Sequence, residues 1–449
     1  MTTTLTHPEV QTTTGRVQGR WRPTTGTGEH PQSAAFLGIP FAEAPVGNLR
    51  FQAPVRKSPW DGVLEATSYG ATAQRGDPGV TLIPEPSVPG DSTLNVNVFT
   101  PSPETAAPRQ GLPVMVYIHG GGYFAGSPAS PWYDGRNFNR DGIVTVTLSY
   151  RLGFDGFGWI DGAPSNRGVR DWLLGLEWVR DNIASFGGDP ENVTIAGQSA
   201  GGGAVFTLLG MPQAQHLFRA VYAISGAVGN VTAVRAEGLS RRLATAAGVE
   251  PNLAGFASVS EERLLELQKK ETELGPDGLN TVIEEGLALG PYVDGDLIAQ
   301  QTRDALRAGI GADKPLVLGA TDDEFSMAMT DAAKKLRWVP KGILLGKLGV
   351  PRDRRKAYLA ANADVVAKGK ARLAGRVPTD RMFRTAVVRV AADRGSAPTW
   401  TYRFAWPSGA FGFAEHCMDV PFFFDCLDGP AMEPLAGPNP PQSLADEVH

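Results

Sequence analysis

The sequence predicts an α/β fold with a mostly parallel sheet covered on both faces by helices. Three observations carry that expectation. Short apolar, β-branched runs alternate with helical periodicity across the first half of the chain. One such run, 192–196, leads into Gly197-Gln198-Ser199-Ala200-Gly201 and then an apolar stretch over 204–209. That order reads as a strand, a sharp turn carrying a serine, and a helix. A second run, 114–118, leads directly into His119-Gly120-Gly121-Gly122-Tyr123.

In chain order, 12–22 reads as a strand and turn, and 35–39 as a short strand. Residues 36–54 are rich in Pro and Gly and irregular, and 75–91 read as a Pro-rich surface loop. Strands are predicted at 94–99, 114–118 and 143–148. A helix follows over 166–183, from the spacing of Leu173, Leu174, Leu176, Val179 and Ile183, with Ser165 or Asn166 as its cap. Beyond the serine turn, 220–224 is the next strand and 237–310 is mostly helical in pattern. The strand at 315–318 runs into Gly319-Ala320-Thr321-Asp322-Asp323-Glu324. Residues 326–395 are again helical, with breaks near Pro340, Pro351 and Pro378, and 399–404 is a late strand. The charge run at 352–356 is expected to be a solvated helix face. The closing SLADEVH reads as the start of a helix.

Bulk properties bound the function. Hydrophobic residues make up 42% of the 449, enough for a large core. A net charge of -5 argues against a general nucleic-acid binder. No apolar run approaches ~20 residues, so no spanning helix and no membrane partner are expected. The first ten residues carry no cationic or apolar leader pattern. Cys417 and Cys426 are the two cysteines; reduced thiols in a cytoplasm are the default, with one bridge as the alternative. Abundant Gly, Pro, Ala and Arg suggests a bacterial source. No spaced His/Cys/Asp set suggests a metal, and no nucleotide fingerprint suggests a cofactor.

A serine hydroxyl needs a base, and the base needs a group to orient it. Three histidines follow Ser199. His216 falls at the surface end of the helix after the serine, and His449 is terminal. His416 comes just after a predicted strand, where a loop can deliver an imidazole to the sheet edge. The orienting acid should follow a strand between Ser199 and His416, and Asp322, Asp323 and Glu324 do so directly after the strand at 315–318.

Longer segments carry a resemblance. FGGDPENVTIAGQSAG, 186–201, resembles the serine signature of the type-B carboxylesterase family. GIPFAEAPVGNLRFQAP, 38–54, is similar to that family's N-terminal segment. HGGGY resembles its oxyanion loop, GATDDEF its G-x-x-x-D-E-G segment, and HCMDVPFFF its histidine motif. Three positions depart from the pattern: Thr93 stands in place of a cysteine, Phe325 in place of a glycine, and Asp419 in place of a glutamate. The first departure leaves the 75–91 loop uncrosslinked and, by expectation, mobile.

The resemblance implies a single α/β-hydrolase domain over 1–449, with helical cap insertions at about 237–310 and 326–395. It implies a serine hydrolase that cleaves small-molecule carboxylic esters through an acyl-enzyme. Ser199 is then the nucleophile, His416 the base and Glu324 the acid. Gly121, Gly122 and Ala200 are the oxyanion donors. Ser225 bonds near the acid and histidine, and His119 orders the glycine loop without ionising. Aromatics close to the motifs, Tyr123, Phe124, Phe154 and Phe423, together with Phe157 and Trp159, are candidates for the substrate pocket. Two rival functions share the fold. One uses the same residues on carbamates or amides. The other is a catalytically silent binding protein, which the presence of Ser199, Glu324, His416 and HGGG disfavours.

Overall fold

The computed structural model describes residues 7–76, 82–103, 111–273, 281–283, 286–330 and 332–449. Its strands in chain order are β1 (Glu9–Gln11), β2 (Arg16–Gln18), β3 (Arg20–Pro23), β4 (Gln32–Pro40), β5 (Val63–Glu65) and β6 (Asn95–Thr100). They continue with β7 (Leu112–Ile118), β8 (Val144–Leu148), β9 (Gly188–Gln198), β10 (Ala220–Ile224), β11 (Leu316–Thr321) and β12 (Thr399–Phe404). β1, β2 and β5 form a small separate sheet. The other nine are ordered β12-β11-β10-β9-β7-β8-β6-β4-β3. From β8 to β12 across the sheet every pairing is parallel, while β3, β4 and β6 add antiparallel strands at one side.

Within the centre of the sheet, β7, β8 and β10 read as largely apolar or β-branched runs because both faces are covered. Val-Thr-Val-Thr-Leu of β8 is buried at every position. Register then brings the ends of the central strands level. Ile118 of β7 lies beside Gly197 of β9. Gly197 and Gln198 lie beside Ala223 and Ile224 of β10, and Ile224 beside Gly319 of β11. The loops after β7, β9 and β11 therefore leave one edge of the sheet together, the edge where open α/β sheets bind ligands.

Two helices frame β9. Helix α1 (Arg167–Asn182) precedes it and buries Val169, Trp172, Leu176 and Val179. Trp172 is fully buried, whereas Leu173 is only partly so. Asn166 stands at the cap position, but in a left-handed conformation and without capping the helix. Its side chain is taken by a distant loop instead: it donates to Tyr292 O at 2.8 Å and accepts from Tyr292 N at 2.9 Å. Helix α2 (Ala200–Leu209) follows β9 and is buried at all ten positions, which explains a composition without polar faces.

The region 237–310 contains α3 (Ala233–Ala247), a short turn Leu253–Ala257, α4 (Glu261–Thr272) and a short helix Thr302–Arg307. Between 286 and 301 the chain is irregular. In 326–395, Pro340 and Pro351 fall at helix boundaries as expected. Pro378 does not break its helix. It lies inside α5 (Lys370–Thr379). Lacking an N–H, it cannot bond one turn back, and the chain widens into a π turn, Asp380–Arg384, before α6 (Thr385–Asp393) resumes. Among the described residues, no helix is long and apolar enough to cross a membrane. The 352–356 charge run is mostly exposed. Cys417 and Cys426 are buried and unpaired. The last helix, Gln442–Val448, ends in His449, whose Nδ1 lies 2.8 Å from Phe423 O.

Candidate active site

The turn after β9 holds Ser199 at φ 56°, ψ -117°. A side chain in that region is strained, and it persists because its neighbours leave no alternative. A Cβ on Gly197 would sit 2.4 Å from Gly201 O, and one on Gly201 would sit 1.9 Å from Ile118 O. Both glycines are therefore fixed by close backbone approach, not by flexibility. Ser199 N–H donates to Ile224 O at 2.9 Å, which ties the turn to β10.

Ser199 Oγ lies 3.0 Å from His416 Nε2. His416 Nδ1 is bonded to Glu324 Oε2. Glu324 is fully buried, and its Oε1 accepts from Ser225 Oγ at 2.7 Å and from Thr321 N–H at 2.8 Å. The structure thus brings together four side chains singled out in the sequence: Ser199, Ser225, Glu324 and His416. Asp322 and Asp323 are engaged elsewhere. Asp322 accepts from the Arg403 guanidinium, and Asp323 from Arg372 at 2.7 Å. His216 is exposed on a turn near Arg180, remote in contacts from Ser199.

Burial works against charge on His416, but Cys417 and the Glu324 carboxylate overcome it and hold the imidazole well above its ordinary pKa. Burial pushes the Cys417 thiol up in turn, so the thiol is neutral near pH 7. Glu324 is then the group that favours the imidazolium. A hydroxyl, an imidazole and a buried carboxylate in this order can activate the oxygen and stabilise the cation formed when its proton moves.

The loop after β7 passes beside the serine. Gly121 and Gly122 have φ of 95° and 62°. A Cβ on Gly121 would meet Ala125 O at 2.1 Å. Among the described residues, the N–H groups of Gly121, Gly122 and Ala200 have no protein acceptor. Unused donors beside a strained serine are what an oxyanion needs. His119 supports this loop. Burial pushes its pKa down to about 4, so it is neutral; its Nδ1 lies 3.0 Å from Gly120 O and its ring stacks on Tyr150.

A cavity of about 910 Å³ reaches the glycine loop through Gly122 and Phe124. Leu152, Phe154, Leu264 and Leu289 are among its walls, while Ser199 and His416 are not. Of the candidate pocket aromatics, Phe124 is 59% exposed and lines this cavity, as does Phe154 from beneath, where it packs on Phe256. Tyr123 and Phe157 are buried and packed on each other and on Trp172. Trp159 is partly buried against a small cluster of Val231, Ala236 and Tyr292. Phe423 is not brought to the cavity. It packs on Phe138 and Tyr222, in an apolar cluster with Phe424 and Tyr117, because the short helix Val420–Phe423 turns it to the other side. The 75–91 loop closes without a disulfide: Arg75 Nη1 donates to Gly90 O at 2.9 Å and Gln74 Nε2 to Glu85 O at 2.7 Å. Residues 77–81 of that loop lie outside the described residues.

Several neighbours of the site escape sequence reasoning. Gln198 Nε2 lies 3.2 Å from His416 Nε2, a contact set by the turn geometry alone. Phe325 and Phe383 lie against the imidazole. Phe325 had a signal, its departure from glycine, but Phe383 had none. Asp419 accepts from Tyr402 Oη at 2.9 Å, and burial raises its pKa to about 7. Glu415 is fully buried with both carboxyl oxygens unpartnered among the described residues, and burial raises it to about 8.

Comparisons with known proteins bear on the chain as a whole. The carboxylesterase family model matches residues 6–436. The chain is 34% identical to the para-nitrobenzyl esterase of Bacillus subtilis over 444 residues, covering 95% of this chain and 84% of that protein. It is 31% identical to the fumonisin B1 esterase of Sphingopyxis macrogoltabida, covering 90% and 73% respectively. Among solved structures, a Geobacillus stearothermophilus carboxylesterase superposes with a TM-score of 0.80 at 31% identity, over 98% of this chain and 89% of that one. A para-nitrobenzyl esterase structure gives 0.79 at 30% identity, over 99% and 88%.

Proposed function

The chain belongs to the carboxylesterase family, and on that premise we propose that Ser199, His416 and Glu324 perform its hydrolysis of carboxylic esters. Ser199 Oγ attacks the ester carbonyl carbon as His416 Nε2 takes the hydroxyl proton. The carbonyl oxygen becomes an oxyanion facing the N–H groups of Gly121, Gly122 and Ala200. Collapse breaks the bond to the alcohol, which leaves with the proton from His416. Water then adds to the acyl-enzyme, giving its proton to the same nitrogen, and the second collapse returns that proton to Ser199 and frees the acid. Glu324 keeps Nδ1 protonated and offsets the imidazolium charge without itself taking the proton.

The observation that carries this reading is the unbroken contact from Ser199 Oγ through His416 to a buried Glu324 that two further donors hold in place. The helical segments 237–310 and 326–395 are assigned as a cap. Support comes from Leu264 and Leu289 in the cavity wall and from Phe383 against the histidine. A bacterial, cytoplasmic setting goes with the reading; the Bacillus subtilis relative supports the first, and two buried unpaired thiols the second. The test is mass labelling with an organophosphate. One covalent adduct per chain is expected, on the peptide carrying Ser199. Ser199→Ala should take no label and lose ester turnover. A variant that still hydrolyses esters at the parent rate would end the assignment.

A further inference from the structure

We propose that Phe325 and Phe383 are positioning residues, forming a two-ring aromatic wall that backs the imidazole of His416. This rests on the reading of His416 as the base. The Phe325 ring stacks on the imidazole with centroids 5.4 Å apart and planes 21° apart. Phe383 lies 5.1 Å from the imidazole at 48°, and 5.6 Å from Phe325. The three centroids form a nearly equilateral triangle. Both phenyl rings therefore stand to one side of the imidazole.

Each ring arrives by its own route. Phe325 directly follows Glu324, and His416 N–H donates to Glu324 O at 3.2 Å, so the acid loop and the histidine loop run side by side. Phe383 comes from the segment 326–395, on the π turn Asp380–Arg384. Helix α5 before that turn is docked against the acid loop. Arg372 bonds Asp323 at 2.7 Å, and Phe325 N–H reaches Thr379 Oγ1 at 3.4 Å. At Gly375 a Cβ would stand 2.4 Å from Ser326 Cα. The widened turn then swings Phe383 onto the imidazole. Phe383 is buried and Phe325 half-buried.

Two physical effects follow. Glu324 and Ser199 fix the two nitrogens, but neither prevents the ring from tilting about the line between them; the near-parallel Phe325 face, backed by the inclined Phe383 ring, does. The π faces also attract an imidazolium more than an imidazole, so the wall favours the charged form that appears as Ser199 loses its proton. The charged and titratable groups around His416 are Glu324 and Asp323 on the acid loop, Glu415, Cys417 and Asp419 on its own loop, and Arg372 on α5 beside Glu415 and Asp323. A change confined to Phe325 leaves all of them in place.

The experiment compares parent, Phe325→Leu, Phe325→Tyr and Phe383→Leu on a short-chain para-nitrophenyl ester across pH. Leucine keeps the apolar contact and removes the π face; tyrosine keeps both. For Phe325→Leu, kcat is expected to fall about threefold with KM little changed, and the acid-side midpoint of kcat/KM to move down by about half a pH unit. Phe325→Tyr should return both to the parent values. Phe383→Leu should move the midpoint the same way, read on protein whose thermal melt shows a folded chain. Acid limbs of both leucine variants that superimpose on the parent's would overturn the wall. His416→Ala separates the two readings: a variant that retains turnover removes the base assignment itself, whereas an inactive one beside unshifted leucine profiles removes only the wall.

Discussion

Glu324→Gln is the sharpest perturbation of the site. The substitution preserves shape and removes one oxygen acceptor. In the parent, Oε1 serves two donors, Ser225 Oγ at 2.7 Å and Thr321 N–H at 2.8 Å, while Oε2 serves His416 Nδ1. A glutamine has one oxygen to share. Kept at the Oε1 position, it satisfies Ser225 and Thr321 but turns an N–H toward Nδ1. The imidazole must then carry its proton on Nε2, pointing at Ser199, and cannot accept the hydroxyl proton. A wrong tautomer of this kind costs about 10⁴-fold in kcat, or ~5 kcal/mol. Flipping the amide restores an acceptor to Nδ1 but leaves the buried Thr321 N–H facing another N–H, at a cost of about 1–3 kcal/mol. The flipped form is therefore a minority, and it lacks the charge that offsets the imidazolium. The expected loss is about 10³ to 10⁴ in kcat, measured at saturating chromogenic ester and normalised to folded protein by circular dichroism. Asp322→Asn serves as the control, since its carboxylate faces the exposed Arg403 guanidinium. It should lose less than about tenfold. A Glu324→Gln variant within tenfold of the parent, beside an Asp322→Asn variant that is inactive, would refute the assignment of the acid.

Two further outcomes follow from the backbone and from burial. Gly201→Ala places a methyl 1.9 Å from Ile118 O, so β7 and the start of α2 must part. Ester turnover should fall by more than about 10²-fold, since a shift of ~1 Å in the turn misplaces both Ser199 and the Ala200 donor; unchanged kcat would show the turn to be softer than drawn. Glu415 is buried with no hydrogen-bond partner among the described residues, and burial raises its pKa to about 8. The unfolded chain gives up this proton near pH 4 and the folded chain holds it until about 8, so this group's stabilising contribution is lost as pH rises across that window. Glu415→Gln stays neutral throughout. Its urea midpoint should gain on the parent's between pH 5 and 8, and parallel curves would contradict the buried, unpaired placement.

How much of this was legible in the sequence divides along a physical line. The strands β7 and β10 could be read directly, because a strand covered on both faces is apolar along its length, whereas β12 lies at the sheet edge and is only partly buried. β9 begins four residues before its apolar run. Gly188, Asp189, Pro190 and Glu191 have turn composition, and their strand geometry belongs to the longer element that the sheet draws out. Asn166 had the right chemistry for a cap and the right position, yet a distant loop takes its side chain. Pro378 had the right chemistry for a break, yet packing of α5 against the acid loop holds the helix through it and moves the distortion one turn on.

The same line runs through the site. Ser199 and His416 are 217 residues apart, and His416 and Glu324 are 92 apart. Ser199 was singled out by a local turn whose geometry restricts the residues beside it, with Gly197 and Gly201 as the restrictions written into the chain. His416 came from elimination together with its motif, and Glu324 from the family resemblance alone, since the residues by themselves left Asp322 and Asp323 open. Phe383 has nothing of the kind. A phenylalanine on a helical stretch is compatible with any core, and what sends this one to the imidazole is the docking of α5 by Arg372 and Gly375 together with one widened turn. Phe325 lies between the two cases: it sits inside a recognisable motif, but as the residue that breaks it. A phenyl ring in place of hydrogen at that position needs a partner surface, and Phe383 supplies it. The departure from the pattern and the distortion in the distant helix are then two halves of one arrangement, which neither segment discloses alone.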